Sequence, residues 1–391
     1  MVPSGWGEYR LGNISHTITS GSRDWAQYYA ESGSKFVRMT NLARDGIYLK
    51  LEDMKYVDVQ SNSADGKRTS LQSGDILISI TAELGKIGWV SNDFGEAYIN
   101  QHTALVRLDL EKVESKYIAY LLSSKTMNYK INRLNDSGAK AGLNLPTIRS
   151  IPLTLPPLPE QQKIAQILST WDKAISTTES LIANSQQQKK ALMQQLLTGK
   201  KRFSEFDGEW KKVELGNLLK YKQPTPYLVK SIKYSNEYET PVLTAGKTFV
   251  LGYTNEDFGI YQDKLPAIIF DDFTTASKFV DFPFKAKSSA MKILAATNGV
   301  SIKYVFEAMQ ILNYPIGGHQ RHWISIFSNL VIGLPSIEEQ QKIASALSTS
   351  DKEIDTLQQK LTHLKQEKKA LMQQLLTGKC RVIVDNETEA S

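Results

Sequence analysis

The chain has 391 residues, 41% hydrophobic and 23% charged, a globular balance that argues against disorder and suggests two or three folding units. No run reaches the roughly 18 consecutive apolar residues of a membrane span, and the opening MVPSGWGEYRLG lacks the layout of a secretory signal. The one cysteine, Cys380, excludes an internal disulfide or a cysteine-based zinc site, so a cytoplasmic location is expected. The net charge of +6 suits a polyanionic partner, although many basic proteins carry such charge only for solubility.

In chain order, residues 1–155 form a first block. Its strand-like runs KFVRMT, DILISI, IGWV and TALVRL are bounded by turn signals such as QSGDIL and SNDFGEAY, and a helix is predicted in ESKYIAYLLSSKTMNYKIN. Residues 156–204 read as helix, with proline and acid at its first turn in LPPLPEQQ. Ser169 and Asp172 have capping-box spacing, which predicts a second helix restarting there. A three-four seam follows through Ile175, Thr178, Ile182, Ser185, Lys189, Leu192 and Leu196, and Gly199 is a natural stop.

Residues 205–333 form a second block, with strand-like TPVLTAG, PAIIFDDF, KFVDFPF and AMKIL and a helical SIKYVFEAMQIL. Residues 334–381 return to helix, from LPSIEEQQ through the similar pair Ser348 and Asp351. Their seam runs through Ile354, Leu357, Leu361, Leu364, Lys368, Leu371 and Leu375, and ends at Gly378. Residues 382–391 are a tail.

The two helical regions are one sequence used twice. From Glu160 and from Glu339, 41 residues align without a gap and 26 are identical by direct count, ending in KKALMQQLLTGK both times. WGEYRLGN from Trp6 and WKKVELGN from Trp210 are a fainter echo, while the blocks between look unlike each other. The expected fold class is α+β (mixed α/β): two globular domains separated by two long helices paired as an antiparallel coiled coil, with pseudo-twofold symmetry. The competing arrangement packs each helix on its own block.

Enzyme signals fail one by one. PVLTAGKTF resembles the end of a phosphate-binding loop, but Pro241 stands where glycine is needed. Asp271–Asp272 has no third ligand placed nearby and reads as a strand-end turn. The five histidines lack helical zinc spacing, no G-x-G-x-x-G is present, and no Asn-Pro-Pro or Asp-Pro-Pro of an amino-methyltransferase occurs. The chain is therefore expected not to be an enzyme and to hold no metal or cofactor.

Clusters of amides, hydroxyls and cations near turns are instead candidate DNA contacts, because Arg and Lys suit guanine edges and Asn or Gln suits adenine. In the first block they are Arg23, Arg38, Asn41, Arg44, Asn100, Gln101, His102, Ser137, Lys140 and Asn144. In the second they are Lys247, Thr274, Thr275, Lys278, Lys285, Lys287, His319, Gln320, Arg321 and His322. Each taken singly also fits a solvated loop.

The order of these parts resembles the DNA specificity subunit of type I restriction–modification systems. LPPLPEQQKIAQIL, LPSIEEQQKIASAL, the repeated QQLLTGK, SGDILISITAELGKIG and INQHTALVRL carry the resemblance. TPVLTAGKTFVLGYTN and PAIIFDDFTTASKFVDF look like one class of its target-recognition domain. The resemblance implies that each block reads half of a split, asymmetric double-stranded DNA site. It implies that the helices set the gap and dock two methyltransferase subunits, with two nuclease/translocase subunits in the full assembly. Glu160, Gln161, Glu339 and Gln340 would begin the helices that present the docking surface. S-adenosylmethionine would belong to the methyltransferase, and ATP and Mg to the nuclease. The alternative is a non-enzymatic coiled-coil adaptor whose blocks bind proteins.

Overall fold

The computed structural model describes residues 2–23, 25–59, 63–134, 142–246, 248–312 and 322–384. The chain divides into two compact units, one of Met1–Thr177 with Leu361–Ser391 and one of Thr178–Lys360. Each predicted block is the globular part of one unit, and each long helix contributes to both units.

In the first unit, a four-stranded antiparallel sheet has the order Ser15–Ser20, Thr103–Leu108, Ile76–Ser79, Ile87–Trp89. Within DILISI, Ile76, Leu77 and Ile78 are apolar without alternation because both faces of this sheet are covered. Ile76, Ile78, Ala104 and Val106 face the helical side with Tyr117, Ile118 and Leu168, whereas Leu77 and Leu105 face Val37, Leu42 and Ile99. On that second side lies a smaller sheet, Tyr29–Ala30, Lys55–Val57, Ser34–Val37, Ala97–Ile99, whose last pair is parallel. The predicted helix after Glu114 forms as two, Ser115–Ser123 and Lys125–Arg133, with Ser124 capping the second.

The second unit repeats this plan in an unrelated sequence. Its four-stranded sheet runs Leu219–Lys222, Met291–Ala296, Ala267–Asp271, Ser277–Val280. Ile268, Phe270 and Leu294 face the helices, while Ile269 and Ile293 face a smaller sheet of Val250–Thr254, Thr240–Leu243 and Lys285–Ala286, whose last pair is again parallel. The blocks, unlike in sequence as expected, share the strand order and sense of the larger sheet, while the smaller sheet has four strands in the first unit and three in the second.

Each block closes on a two-stranded ribbon, Gly7–Arg10 with Pro152–Leu155 and Lys211–Glu214 with Val331–Leu334. The ribbons lead into helices Leu158–Leu196 and Ile337–Leu375, 39 residues each and unbroken. The predicted restart does not occur. Ser169 donates back to the Ala165 carbonyl at 2.7 Å, and Asp172 accepts from Tyr120 Oη at 2.5 Å rather than capping a new helix.

Within each unit the helix segments run antiparallel. Glu160 meets Arg381 and Asp172 meets Lys368 in the first; Glu339 meets Arg202 and Asp351 meets Lys189 in the second. The predicted seam positions are the half-buried or buried line of both helices. The competing arrangement also holds in part, since Ile164 and Leu168 enter the first block's core, and Ile343 and Leu347 the second's.

Candidate nucleic-acid interface

One end of the first unit's larger sheet gathers three loops. In the first unit, strands Ser15–Ser20 and Ile76–Ser79 end where Thr103–Leu108 begins. Gly21 N–H donates to Thr103 O at 3.3 Å, Ile80 N–H to His102 O at 3.1 Å, and Leu143 N–H to Ile80 O at 2.9 Å. Gly21 is needed for this approach, because a Cβ there would lie 2.2 Å from the Asn100 carbonyl.

The gathering places Arg23, Asn100, Gln101, His102 and Asn144 together, with Arg44 tied to the neighbouring hairpin by its ion pair to Glu83 at 3.4 Å. Several of these side chains also hold the loops. Asn100 Oδ1 accepts from His102 N–H at 3.2 Å and Thr103 Oγ1 at 3.3 Å, and Asn144 Oδ1 caps the next helix through Thr147 N–H at 2.8 Å. Gln101 Nε2 donates to His102 Nε2 at 3.1 Å, which leaves the ring proton on Nδ1 to donate to Thr81 Oγ1 at 2.9 Å. Arg23 is exposed.

Arg38 and Asn41 lie elsewhere, in the 38–53 loop. Arg38 holds Asp53 through its carbonyl at 2.8 Å and carboxylate at 3.0 Å, and with Lys55 keeps that carboxyl below the usual range. Asn41 is 1% exposed and bridges Arg38 N–H and Lys50 O, so it cannot reach a base without unfolding the loop. Ser137 and Lys140 lie outside the described residues. Arg68, which no sequence motif marks, is exposed and reaches Ser20 O and Ser22 Oγ beside Arg23. Its only signal was a basic residue ending a short helix, Ala64–Thr69.

The corresponding end of the second unit carries the turn after Asp271. Asp271 accepts from Phe273 N–H at 2.9 Å and Thr274 Oγ1 at 2.8 Å, while Asp272 accepts from Trp323 N–H at 2.9 Å and pairs with Lys292 at 3.4 Å. The aspartate pair is thus a strand-end turn, as its sequence suggested. Among the described residues no group of His, Cys, Asp and Glu could hold a metal ion.

Thr274 and Lys278 are exposed at this turn, and Lys287 is half-buried with Nζ 3.0 Å from Tyr234 Oη. Three candidates are corrected by burial. His322 is 2% exposed with Nδ1 2.7 Å from Asp272 O; Thr275 is buried at φ 60°; Lys285 is fully buried against Glu256 at 2.9 Å. Lys247, His319, Gln320 and Arg321 lie outside the described residues.

The four expected docking residues begin the helices, but their side chains are buried in two matching clasps. Glu339 accepts from Arg202 at 2.8 and 2.7 Å and from Trp210 Nε1 at 3.2 Å; Glu160 accepts from Arg381 twice at 2.8 Å. Each carboxylate holds its arginine more firmly charged. Gln161 links Glu114 N–H to Pro156 O, and Gln340 links Ser301 N–H to Pro335 O, in each case fixing the start of the block's buried helix. Their assignment to a docking surface is corrected: buried and hydrogen-bonded within the chain, they join helix to block.

The sequence matches the family described as the type I restriction modification DNA specificity domain twice, over residues 3–184 and 207–366. The chain belongs to this family. Each specificity-domain match takes in one block and most of the helix that follows it. The chain is similar to the EcoR124I/EcoR124II specificity subunit of Escherichia coli, 52% identical over 139 residues, 34% of each chain. It is 26% identical to a putative MjaX specificity subunit of Methanocaldococcus jannaschii over 97% of this chain and 95% of that one. The type I S subunit structure from M. genitalium shares the fold, with a TM-score of 0.67 at 15% identity over 96% and 99% of the two chains. Among the described residues no helix is long and apolar enough to cross a membrane. As a member of this specificity family, the chain uses its two domains for DNA recognition.

Proposed function

We propose that this chain is the DNA-reading specificity subunit of a type I restriction–modification complex. Each unit reads one half of a bipartite, asymmetric site through the loops at one end of its four-stranded sheet. The helices set the gap and dock two methyltransferase subunits, through which two nuclease/translocase subunits join. S-adenosylmethionine would be held by the methyltransferase, and ATP and Mg by the nuclease. The chain itself supplies binding and placement, so that a partner can flip out and methylate an adenine.

The observation that carries this reading is a shared sheet plan, with different loops, mounted on a duplicated clasp. The clasps seat each block alike on its helix, the repeated exposed helix faces suit a common partner, and unequal loops suit different DNA. A domain reading three or four base pairs gains about 1–3 kcal/mol at each, so two domains acting together reach a discrimination that one cannot.

The test is to co-express the chain with its cognate methyltransferase subunit in a methylation-free host and sequence the modified bases. A single split, asymmetric motif bearing methyladenine is expected. Exchanging residues 205–333 for another family member's block should change one half of that motif only. An assembled, competent complex that leaves DNA unmodified and shows no salt-dependent DNA affinity would favour the protein-binding adaptor.

A further inference from the structure

The turn after Asp271 presents an aromatic ring to solvent on a firmly built support. Phe273 is 62% exposed. Phe258, the other exposed phenylalanine among the described residues, is covered by the ammonium groups of Lys230 and Lys285, 4.9 and 4.2 Å from its ring centre. No such contact accounts for Phe273 among the described residues.

The support is closed by hydrogen bonds on every side. Asp271 N–H donates to Ala276 O at 2.8 Å and Thr275 N–H to Asp271 O at 2.9 Å, in addition to the two bonds that the Asp271 carboxylate accepts. Thr275 at the tip has φ 60°, a conformation that a β-branched residue rarely adopts. The matching hairpin of the first unit also carries a left-handed non-glycine residue, Ala82 at φ 55°. Strain of this kind persists where surrounding structure fixes it, often at binding sites.

The charges beside the ring favour one kind of occupant. Asp271 and Asp272 are 9% and 4% exposed and bonded inward, so the turn shows no carboxylate of its own. Outward it shows Phe273 and, two residues beyond Ala276, the exposed Lys278, with the exposed Thr274 turning its hydroxyl back to the Asp271 carboxylate. An apolar ring flanked by a cation, with no outward carboxylate, matches a DNA groove, where apolar side chains wedge between base steps while neighbours hold phosphates.

We infer that Phe273 is a wedge or stacking contact on one base step of the half-site read by the second unit. Phe273 acts through the shape of that step and its ease of unstacking rather than through hydrogen-bonded readout. This deepens the DNA-reading proposal and rests on it.

The experiment uses the full chain assembled with its methyltransferase subunits and a duplex carrying the motif found by methylation sequencing. Phe273→Ala is compared with Phe273→Trp and Phe273→Leu. Phe273→Ala is expected to weaken binding about tenfold or more, the scale of a lost base–aromatic contact, and to relax the methylated motif in one half only. Phe273→Trp should keep both properties. 2-Aminopurine placed at steps of that half, away from the methylated adenines, should brighten on binding with wild type and not with Phe273→Ala. Unchanged affinity and fluorescence with Phe273→Ala would overturn the inference. So would loss of the methyltransferase subunits with DNA reading intact, which would make the ring a protein contact. Should Phe273→Ala fail to fold, Phe273→Ser decides by the same outcomes, because a small polar side chain can neither stack nor wedge; Phe273→Leu, which can wedge but not stack, separates those two roles. Failure of the wild-type complex to bind any duplex selectively would instead sink the broader function.

Discussion

Asn41, Asn100 and Asn144 show why single residues mislead as candidate DNA contacts. A side-chain amide able to bond a base edge is equally able to bond backbone, and all three are engaged within their own loops. Nothing in a sequence separates those uses until the partner backbone group is placed. The clasp residues have sharper consequences. Glu339→Ala should cost the second unit about 2–3 kcal/mol, since removing the buried carboxylate leaves the Arg202 guanidinium and the Trp210 Nε1–H without their acceptor. Glu160→Ala should cost about 1 kcal/mol less, because Glu160 lacks the tryptophan bond; Trp6 Nε1 has no partner among the described residues. Denaturant unfolding of the two variants gives the comparison. Burial, with Glu96 beside it, pushes the Tyr98 hydroxyl up to about 12, and burial with Tyr227 and Asp263 does the same for Tyr261. Both folded values exceed the unfolded value of 10.0, so their contribution is whole below pH 10 and lost as pH rises through 12. Tyrosinate absorbance from these residues should therefore appear together with loss of circular dichroism. Full titration near pH 10 with the fold intact would contradict this.

At the scale of elements, what could be read depended on period. The helix after Ser301 and the seven-residue seams were legible because repeated burial on a face leaves a regular trace, and the strands DILISI and TALVRL because short apolar runs stand between turn signals. The common sheet plan left no such trace, since many apolar side chains satisfy the same two-sided burial. The restart at Ser169 failed because a serine inside a helix can bond the carbonyl four residues back. The lysine breaking each seam has a partner that the sequence did not announce: Lys368 meets Asp172 beneath the Tyr120 ring, and Lys189 meets Asp351 and Glu307. Lys368→Ala alone should destabilise the first unit by about 1–2 kcal/mol. The combined change Lys368→Leu, Asp172→Leu and Tyr120→Phe should hold or raise the melting temperature, because the partly buried ion pair and the Tyr120 hydroxyl that also donates to Asp172 are replaced by packing. It should also loosen the helix register, since a polar seam pair specifies one alignment. Methylated motifs with more than one gap length would show the slip; a lower melting point would contradict the packing argument.

For the whole molecule, charge gives the most direct expectation. A chain of net charge +6 whose two units together meet about six phosphates should show log affinity falling with log salt at a slope of about −5. A slope near zero in a duplex titration across salt concentrations would remove DNA from the account.

The division of each long helix between units also governs how the protein is made. The first unit needs Leu375 and Leu376 in its core, yet Thr177 and Leu361 are separated by the 183 residues of the second unit, counted from 178 to 360. At roughly 5–20 residues per second, the nascent first unit waits on the order of 10–40 s with that apolar seat open. The second unit, contiguous in sequence, can close while the first is still waiting. Chaperone dependence and aggregation during synthesis should therefore track the first unit, whatever DNA its loops read.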